Sequence, residues 1–311
     1  MPYVGATLKE RKTCPLFHKR KKLRIPTGIP EDITIWPWLF DSSYARNRHS
    51  HPDQTGGFLD GETSEFLSYS EVKDLSTYLS TALTQKYGVG QGTNVAVFTA
   101  NSIYYPVAMF GIIRVGGIFT GSSPDYGVEE AGHILRASTA KLIVADKGSL
   151  KVIKTAAKRL GIPDDRIVLL DASLDGHVSI KDLIEDGRKA NKQVPAWQLT
   201  PGKSNKNACG FVSFTSGTTS LPKGVMISHG NFIAQLMQMA SLGRDDLPKV
   251  VLSVLPLFHI TGLVQLLQLP IVLNQIVVVL AKFDMKSMLD TIIKHRCDEL
   301  WMVPRKHPYA L

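Results

Sequence analysis

Phe211-Val-Ser-Phe-Thr-Ser-Gly-Thr-Thr-Ser-Leu-Pro-Lys-Gly-Val-Met-Ile-Ser-His-Gly-Asn231 is the stretch on which the reading of this chain turns. Cys209 to Phe214 has the length and apolar content of a strand, and it runs straight into a cluster of hydroxyls. Thr215, Ser216, Thr218 and Thr219 surround Gly217, and Gly224 closes the loop. Glycine lets backbone N–H groups approach an anion closely. Lys223 adds a mobile point charge suited to phosphate, and Pro222 stiffens the turn before it. The spacing is not that of a Walker A loop, which needs G-x-x-x-x-G-K-[ST]. A plain Ser/Thr-rich turn between strand and helix would explain the hydroxyls but not the whole string.

Residue for residue, the string resembles the signature of the adenylate-forming superfamily, including its Lys223-Gly-Val-Met-Ile-Ser-His229 continuation. The family usually has glycine between the second threonine and the leucine, where this chain has Ser220. A second segment, Leu255-Pro-Leu-Phe-His-Ile-Thr-Gly-Leu263, resembles the family's next core motif. By that resemblance His259, with Thr261 and Gly262, lines the acyl pocket near the reacting carboxylate. Alone, a histidine among apolar residues reads more simply as a core residue. Asn101-Ser-Ile-Tyr-Tyr-Pro106 through Gly116-Gly117, then Pro124-Asp-Tyr126 and Glu129-Glu-Ala-Gly-His-Ile-Leu135, extend the likeness toward the 4-coumarate–CoA ligase and phenylacetyl–CoA ligase branch. It covers about residues 30 to 304.

The resemblance implies ATP, Mg2+ and CoA as cofactors and a small-molecule carboxylic acid as substrate. The acid attacks the α-phosphorus of ATP, and CoA then displaces AMP from the acyl-adenylate. Thr215, Ser216, Gly217, Thr218, Thr219, Lys223 and Gly224 would hold the β- and γ-phosphates, with Lys223 the catalytic charge. Neither step needs a protein nucleophile, and Ser216 has no His/Asp partner in sequence that would make it one. The bulky Leu257, Phe258 and Ile260 around His259 lean toward an aryl or medium-chain acid.

Outward from the loop, apolar strands alternate with helical patterns. Asn94–Thr99, Ile118–Thr120, Lys141–Ala145, Ile167–Leu170 and Glu299–Val303 read as strands. Segments 101–114, 128–138, 149–160 and 285–295 read as helices. Ser70 is the expected cap of a helix reaching Lys86, with Leu75, Leu79 and Leu83 at helical spacing and Gly88 and Gly90 ending it. Trp36 to Tyr44 supplies aromatic anchors for a first helix, and 195–207 reads as a polar surface connection. The pattern predicts an α/β fold with mostly parallel sheets covered on both faces.

Composition bounds the rest. With 311 residues, 44% apolar and 20% charged, the chain has the makings of a sizeable core and no disordered or collagen-like bias. The net charge of +9 is local: residues 1–24 hold eight Lys/Arg against Glu10, which leaves +2 for the other 287. A basic, solvated tail is the simple reading, with nuclear targeting or an anionic surface as alternatives. No nucleic-acid partner is expected. The tail lacks an apolar core segment, so it is not a secretory signal. Three cysteines, Cys14, Cys209 and Cys297, are too few and too scattered for a disulfide framework, which points to a reducing, cytoplasmic setting.

The most apolar window, Leu263–Ala281, is interrupted by Gln265, Gln268, Pro270, Asn274 and Gln275. It reads as a buried helix followed by a central strand at Ile276–Leu280, not as a membrane span. His49 and His51 read as surface histidines without a third ligand, so no metal ligands are assigned, and His229 as packing at a helix start. The domain reading is a tail at 1–24 and an incomplete N-terminal adenylation domain at 25–311. The family's adenine, ribose and lid-domain motifs would follow Trp301-Met-Val-Pro304, where this sequence has Arg305 to Leu311. A sheet cut there is expected to show bare edges and apolar faces. Two readings therefore stay open, an acyl-CoA ligase and a non-catalytic remnant that binds ATP phosphates or a partner. Tyr309-Ala-Leu311 is not the peroxisomal tripeptide common in this branch; a peroxisomal address would need a further C-terminus.

Overall fold

The computed structural model describes residues 28–42, 56–215, 221–241 and 250–303. The basic tail, the His49/His51 pair, Cys14 and the last eight residues lie outside the described residues.

Two sheets carry the fold. In the first, β3 (Asn94–Phe98), β4 (Ile118–Ser122), β5 (Leu142–Ala145), β6 (Ile167–Leu169), β7 (Cys209–Phe214) and β8 (Gly224–Ser228) lie in the order β6-β5-β3-β4-β7-β8. All neighbours are parallel except β7 and β8, which form an antiparallel hairpin. Side chains alternate between two clusters, as a sheet covered on both faces requires. Val95, Val97, Leu142 and Val144 enter one apolar cluster, while Ala96, Phe98, Ile143 and Ala145 enter the other. The second cluster is closed by α4 (Val128–Ser138) and α5 (Leu150–Arg159) through Ile134, Leu135, Ile153 and Ala157.

The first cluster is the main core. It takes in α1 (Ile35–Phe40), α2 (Tyr69–Tyr87), α3 (Tyr105–Arg114), α6 (Ile180–Lys189) and α7 (His229–Ser241), and its far side is the second sheet. That sheet has five strands, ordered β11-β9-β10-β1-β2, from β1 (Gly57–Asp60), β2 (Phe66–Ser68), β9 (Val250–Ser253), β10 (Ile276–Val279) and β11 (Glu299–Leu300). Its outer face is covered by α9 (Met285–His295), where Met288 meets Leu252, Val254, Val278 and Leu280. The layers thus run helix, sheet, helix, sheet, helix.

Several expectations change in detail. The cap of α2 is Ser68, not Ser70: Ser68 Oγ accepts from Glu71 N, and Ser68 N donates in return to the Glu71 carboxylate at 2.8 Å. Ser70 fails because the residue three positions on is Lys73, which cannot complete the reciprocal pair. Gly88 ends α2 in the left-handed region at φ 70°, as expected. The last strand is shorter than Glu299–Val303, ending at Leu300. The 195–207 segment is more than a surface connection. Asn205 is fully buried and its Nδ2 donates to Pro30 O and Ile33 O, both at 2.8 Å, while Trp197 N donates to Arg114 O at 2.7 Å. The Leu263–Ala281 window becomes a π-helix at Gly262–Gln268, a short α8 at Leu269–Leu273, and β10 between β9 and β1.

Among the described residues no helix is long and apolar enough to cross a membrane. Cys209 and Cys297 are free, and burial pushes both thiols up, Cys297 to about 11. Apolar surface remains on one side of α9, where Met285, Leu289 and Ile293 follow Phe283 and are all about half exposed or more.

Candidate functional site

The hydroxyl loop sits between the antiparallel pair β7 and β8, at the C-terminal end of β7, where the parallel strands β3, β4 and β5 also end. Its neck is closed by one residue pair. Thr215 N donates to Lys223 O at 3.0 Å, and Lys223 N donates to Thr215 Oγ1 at 3.4 Å. Both residues are exposed, so the lysine charge and the threonine hydroxyl face solvent at the mouth. Ser216, Gly217, Thr218 and Thr219 lie outside the described residues. Gly224 belongs to β8 and packs closely: a Cβ would stand 3.2 Å from the Phe214 ring.

His133 on α4 holds the exit arm of the loop. Its Nε2 lies 2.7 Å from Pro222 O, so Nε2 carries the hydrogen and the carbonyl accepts. The same ring meets Phe214 edge-on at 6.3 Å. Sequence reasoning quoted this histidine without giving it a task. The signal was present, since an imidazole on an otherwise apolar helix face needs a polar partner.

Along β8 the chain leaves the loop and reaches a cleft of about 410 Å³ at Ile227. Ile227 lies three positions on from Gly224, roughly 10 Å of strand. The cleft is lined by Ile227, Phe232, Val264 and Trp301, with Ile260 and Thr261 from the second motif and three amides, Asn231, Gln235 and Gln265. Asn231 and Gln235 are exposed at the mouth. Gln265 Oε1 is shielded from solvent and has no hydrogen-bond partner.

Of the second motif, Thr261 stands in the cleft wall. His259 is exposed beside it and its ring lies against Phe258 at 4.6 Å. Partial burial pushes the imidazole below its ordinary value, so it is neutral at pH 7. Gly262 is buried in the backbone, where a Cβ would run into the Pro256 carbonyl and stand 2.7 Å from Leu257 Cα. The motif's shape comes from Asn101, whose amide bonds three backbone groups of the second sheet and its loop. His229 follows the expectation of helix-start packing. It is fully buried, its Nδ1 accepts from Ile35 N at 3.3 Å, and burial pushes its pKa down to about 4.

Against known proteins, a family model described as AMP-binding enzyme matches residues 45–307. A 4-coumarate–CoA ligase of Oryza sativa subsp. japonica is 28% identical over 253 residues, covering 79% of this chain and 43% of the relative. A natural red-emitting luciferase from Phrixothrix hirtus superposes with a TM-score of 0.74 at 24% identity, over 88% of this chain and 51% of that one. MatB from Rhodopseudomonas palustris, solved with ATP bound, gives 0.69 at 21% identity over 86% and 48%. The two structures share the fold, and the chain spans about half the length of the curated relatives it matches.

Proposed function

The chain belongs to the AMP-binding enzyme family, and from that premise we propose that it acts as an ATP-dependent acyl-CoA ligase on an aryl or medium-chain carboxylic acid. The observation that carries this reading is the succession along β8 of an exposed neck, Thr215 paired with Lys223, and an apolar cleft beginning at Ile227. For a carboxylate to be adenylated, a phosphate donor and an acyl chain must bind side by side.

In the first step a carboxylate oxygen forms a bond to the α-phosphorus of ATP, and the bond to the pyrophosphate oxygen breaks. Negative charge grows on the departing pyrophosphate. Lys223, Thr215, Ser216, Gly217, Thr218, Thr219 and Gly224 supply the charge, hydroxyls and backbone N–H groups to hold it, which is electrostatic stabilisation with positioning. In the second step the thiolate of CoA attacks the acyl carbonyl, and the bond to AMP breaks. His259, with Thr261 and Gly262 just beyond it where the π-helix begins, would orient the carboxylate. A neutral imidazole can donate a hydrogen bond there without trapping the acid as an ion pair. Mg2+ would arrive with the nucleotide, held largely by phosphate oxygens and water as this ion usually is. No cluster of three or more His, Cys, Asp or Glu fit for a metal occurs among the described residues.

Phe232 and Trp301 favour a flat or extended apolar body, and Gln265 offers one polar contact inside it. The half-buried, free thiols of Cys209 and Cys297 suit a reducing cytoplasm. A second reading, a binding protein without turnover, is favoured by the exposed apolar stripe on α9, which suits a docking partner.

Hydroxylamine trapping separates the two readings. Mixing the chain with ATP, Mg2+ and a panel of aryl and medium-chain acids should yield the hydroxamate of at least one acid. Folded protein that yields none across the panel, while still binding ATP, leaves the binding reading standing and removes the ligase reading.

A further inference from the structure

The Thr215–Gly224 loop is grasped from outside the hairpin, and the grasp touches both arms. The incoming arm ends in Phe214, whose ring meets the His133 ring edge-on at 6.3 Å. The outgoing arm begins with Pro222, whose carbonyl accepts from His133 Nε2 at 2.7 Å. Gly224 lies against the same ring, where a Cβ would stand 3.2 Å from Phe214, tighter than an ordinary contact. Pro222 has no N–H of its own, and its φ is fixed by the ring, so its carbonyl is the free handle on this arm. Lys223 is the next residue. A bond that fixes the Pro222 carbonyl plane also fixes the N–H of Lys223, which is part of the same peptide unit.

His133 is half-buried on α4, a helix seated on the rigid first sheet through Ile134 and Leu135. The hydrogen bond crosses 89 residues of sequence, so it ties the hairpin to an independent element.

We propose that His133 is a positioning residue for the phosphate loop, orienting the Pro222–Lys223 peptide so that Lys223 and the Thr215 hydroxyl at the neck meet a polyphosphate. The inference rests on reading 215–224 as that loop. It deepens the reading by naming a residue outside the motif on which polyphosphate affinity depends. Preorganised groups bind an anion without first being ordered, and losing one strut lowers affinity for the part of the ligand it serves.

Two substitutions divide the ring from the donor. His133→Phe keeps an aromatic edge against Phe214 and removes the N–H. His133→Gln removes the ring but places an amide N–H near the position of Nε2. The measurement is the affinity of the full 311-residue chain for ATP and for inorganic pyrophosphate, by calorimetry, beside acid binding read from tryptophan fluorescence and thermal melting. His133→Phe should weaken ATP and pyrophosphate together, roughly three- to tenfold for one hydrogen bond. His133→Gln should stay within about twofold of the parent, and acid binding should be unchanged in both. A purely structural histidine would instead shift melting and acid binding along with the nucleotide. Equal losses in Phe and Gln, no loss in Phe, or a parent chain that binds neither ATP nor pyrophosphate would each overturn the proposal. If Phe fails to fold, a Gln variant that loses tenfold or more does so alone. A chain that binds ATP in a His133-dependent way but traps no hydroxamate keeps this inference and loses only the ligase reading.

Discussion

Asn101 Oδ1 accepts a hydrogen bond from Leu257 N at 2.9 Å. The other end of the same amide donates to Leu255 O at 3.0 Å and Leu280 O at 3.1 Å. One side chain at the end of β3 therefore joins the first sheet to the end of β10 and to the loop that carries His259 and Thr261. Asn101→Leu preserves volume but strands three buried backbone groups. It should cost about 3 kcal/mol, with the loss softened by partial relaxation. Urea unfolding of the variant and the parent, compared at equal m-value, checks the figure.

Gly262 makes the same loop possible from the other side. Its α-hydrogen faces the Pro256 carbonyl and Leu257 Cα, which are backbone and cannot rotate away. Gly262→Ala should weaken acid binding at least tenfold, or about 1.4 kcal/mol, by pushing Thr261 out of the cleft wall. Acid titration followed by tryptophan fluorescence reads this directly. ATP affinity should hold, since the 215–224 loop lies on a different element.

Gln265 gives a prediction of opposite sign. Its shielded Oε1 has no partner, and an apolar acid filling the cleft would keep water from it. Gln265→Leu should therefore tighten binding of acids without a polar substituent, roughly fivefold for about 1 kcal/mol recovered. Acids bearing a hydroxyl should gain nothing or lose. Parallel fluorescence titrations of a matched hydroxylated and unsubstituted aryl acid decide it.

How much of this was legible in the sequence follows from the range of the interaction involved. The hairpin loop, α4 and the strand β5 were readable because their signals are local: hydroxyls beside glycine, helical spacing, and a short apolar run between polar ends. The capping pair Ser68 and Glu71 was equally local and was read two residues late. The helix α6 was missed although Ser179 and Asp182 form a capping pair at its start, because a charged stretch after a loop masks its apolar stripe of Ile180, Leu183 and Ile184. What no local pattern shows is partnership across the chain. β1 pairs in parallel with β10, Gly57 opposite Ile276, and Asn101 and His133 act on segments 154 and 89 residues away. Their residue types announced a need for polar partners without saying where those were. The π-helix at Gly262–Gln268 is also silent in sequence, since its wider turn leaves the apolar residues in place and changes only which of them face the cleft.

His229 ties stability to pH. Its folded pKa of about 4 lies below the ordinary imidazole value, so the unfolded chain binds the proton more readily. The stabilising contribution is full above about pH 6.5 and is lost as pH falls toward 4, amounting to about 3 kcal/mol across that window. His229→Asn offers an acceptor for Ile35 N without titrating. Its urea midpoint should fall less steeply than the parent's between pH 6.5 and 4, and parallel slopes would contradict the assignment.

In the proposed reaction Thr215 to Gly224 holds the phosphates of ATP while an acid in the neighbouring cleft attacks. ATP–pyrophosphate exchange measures that event alone, with no need for CoA. Exchange should require the acid and fall at least tenfold in Lys223→Ala, the loss of one charge worth about 1.4 kcal/mol or more. Exchange that is absent with every acid in the folded chain, or that is unchanged in Lys223→Ala, would contradict it.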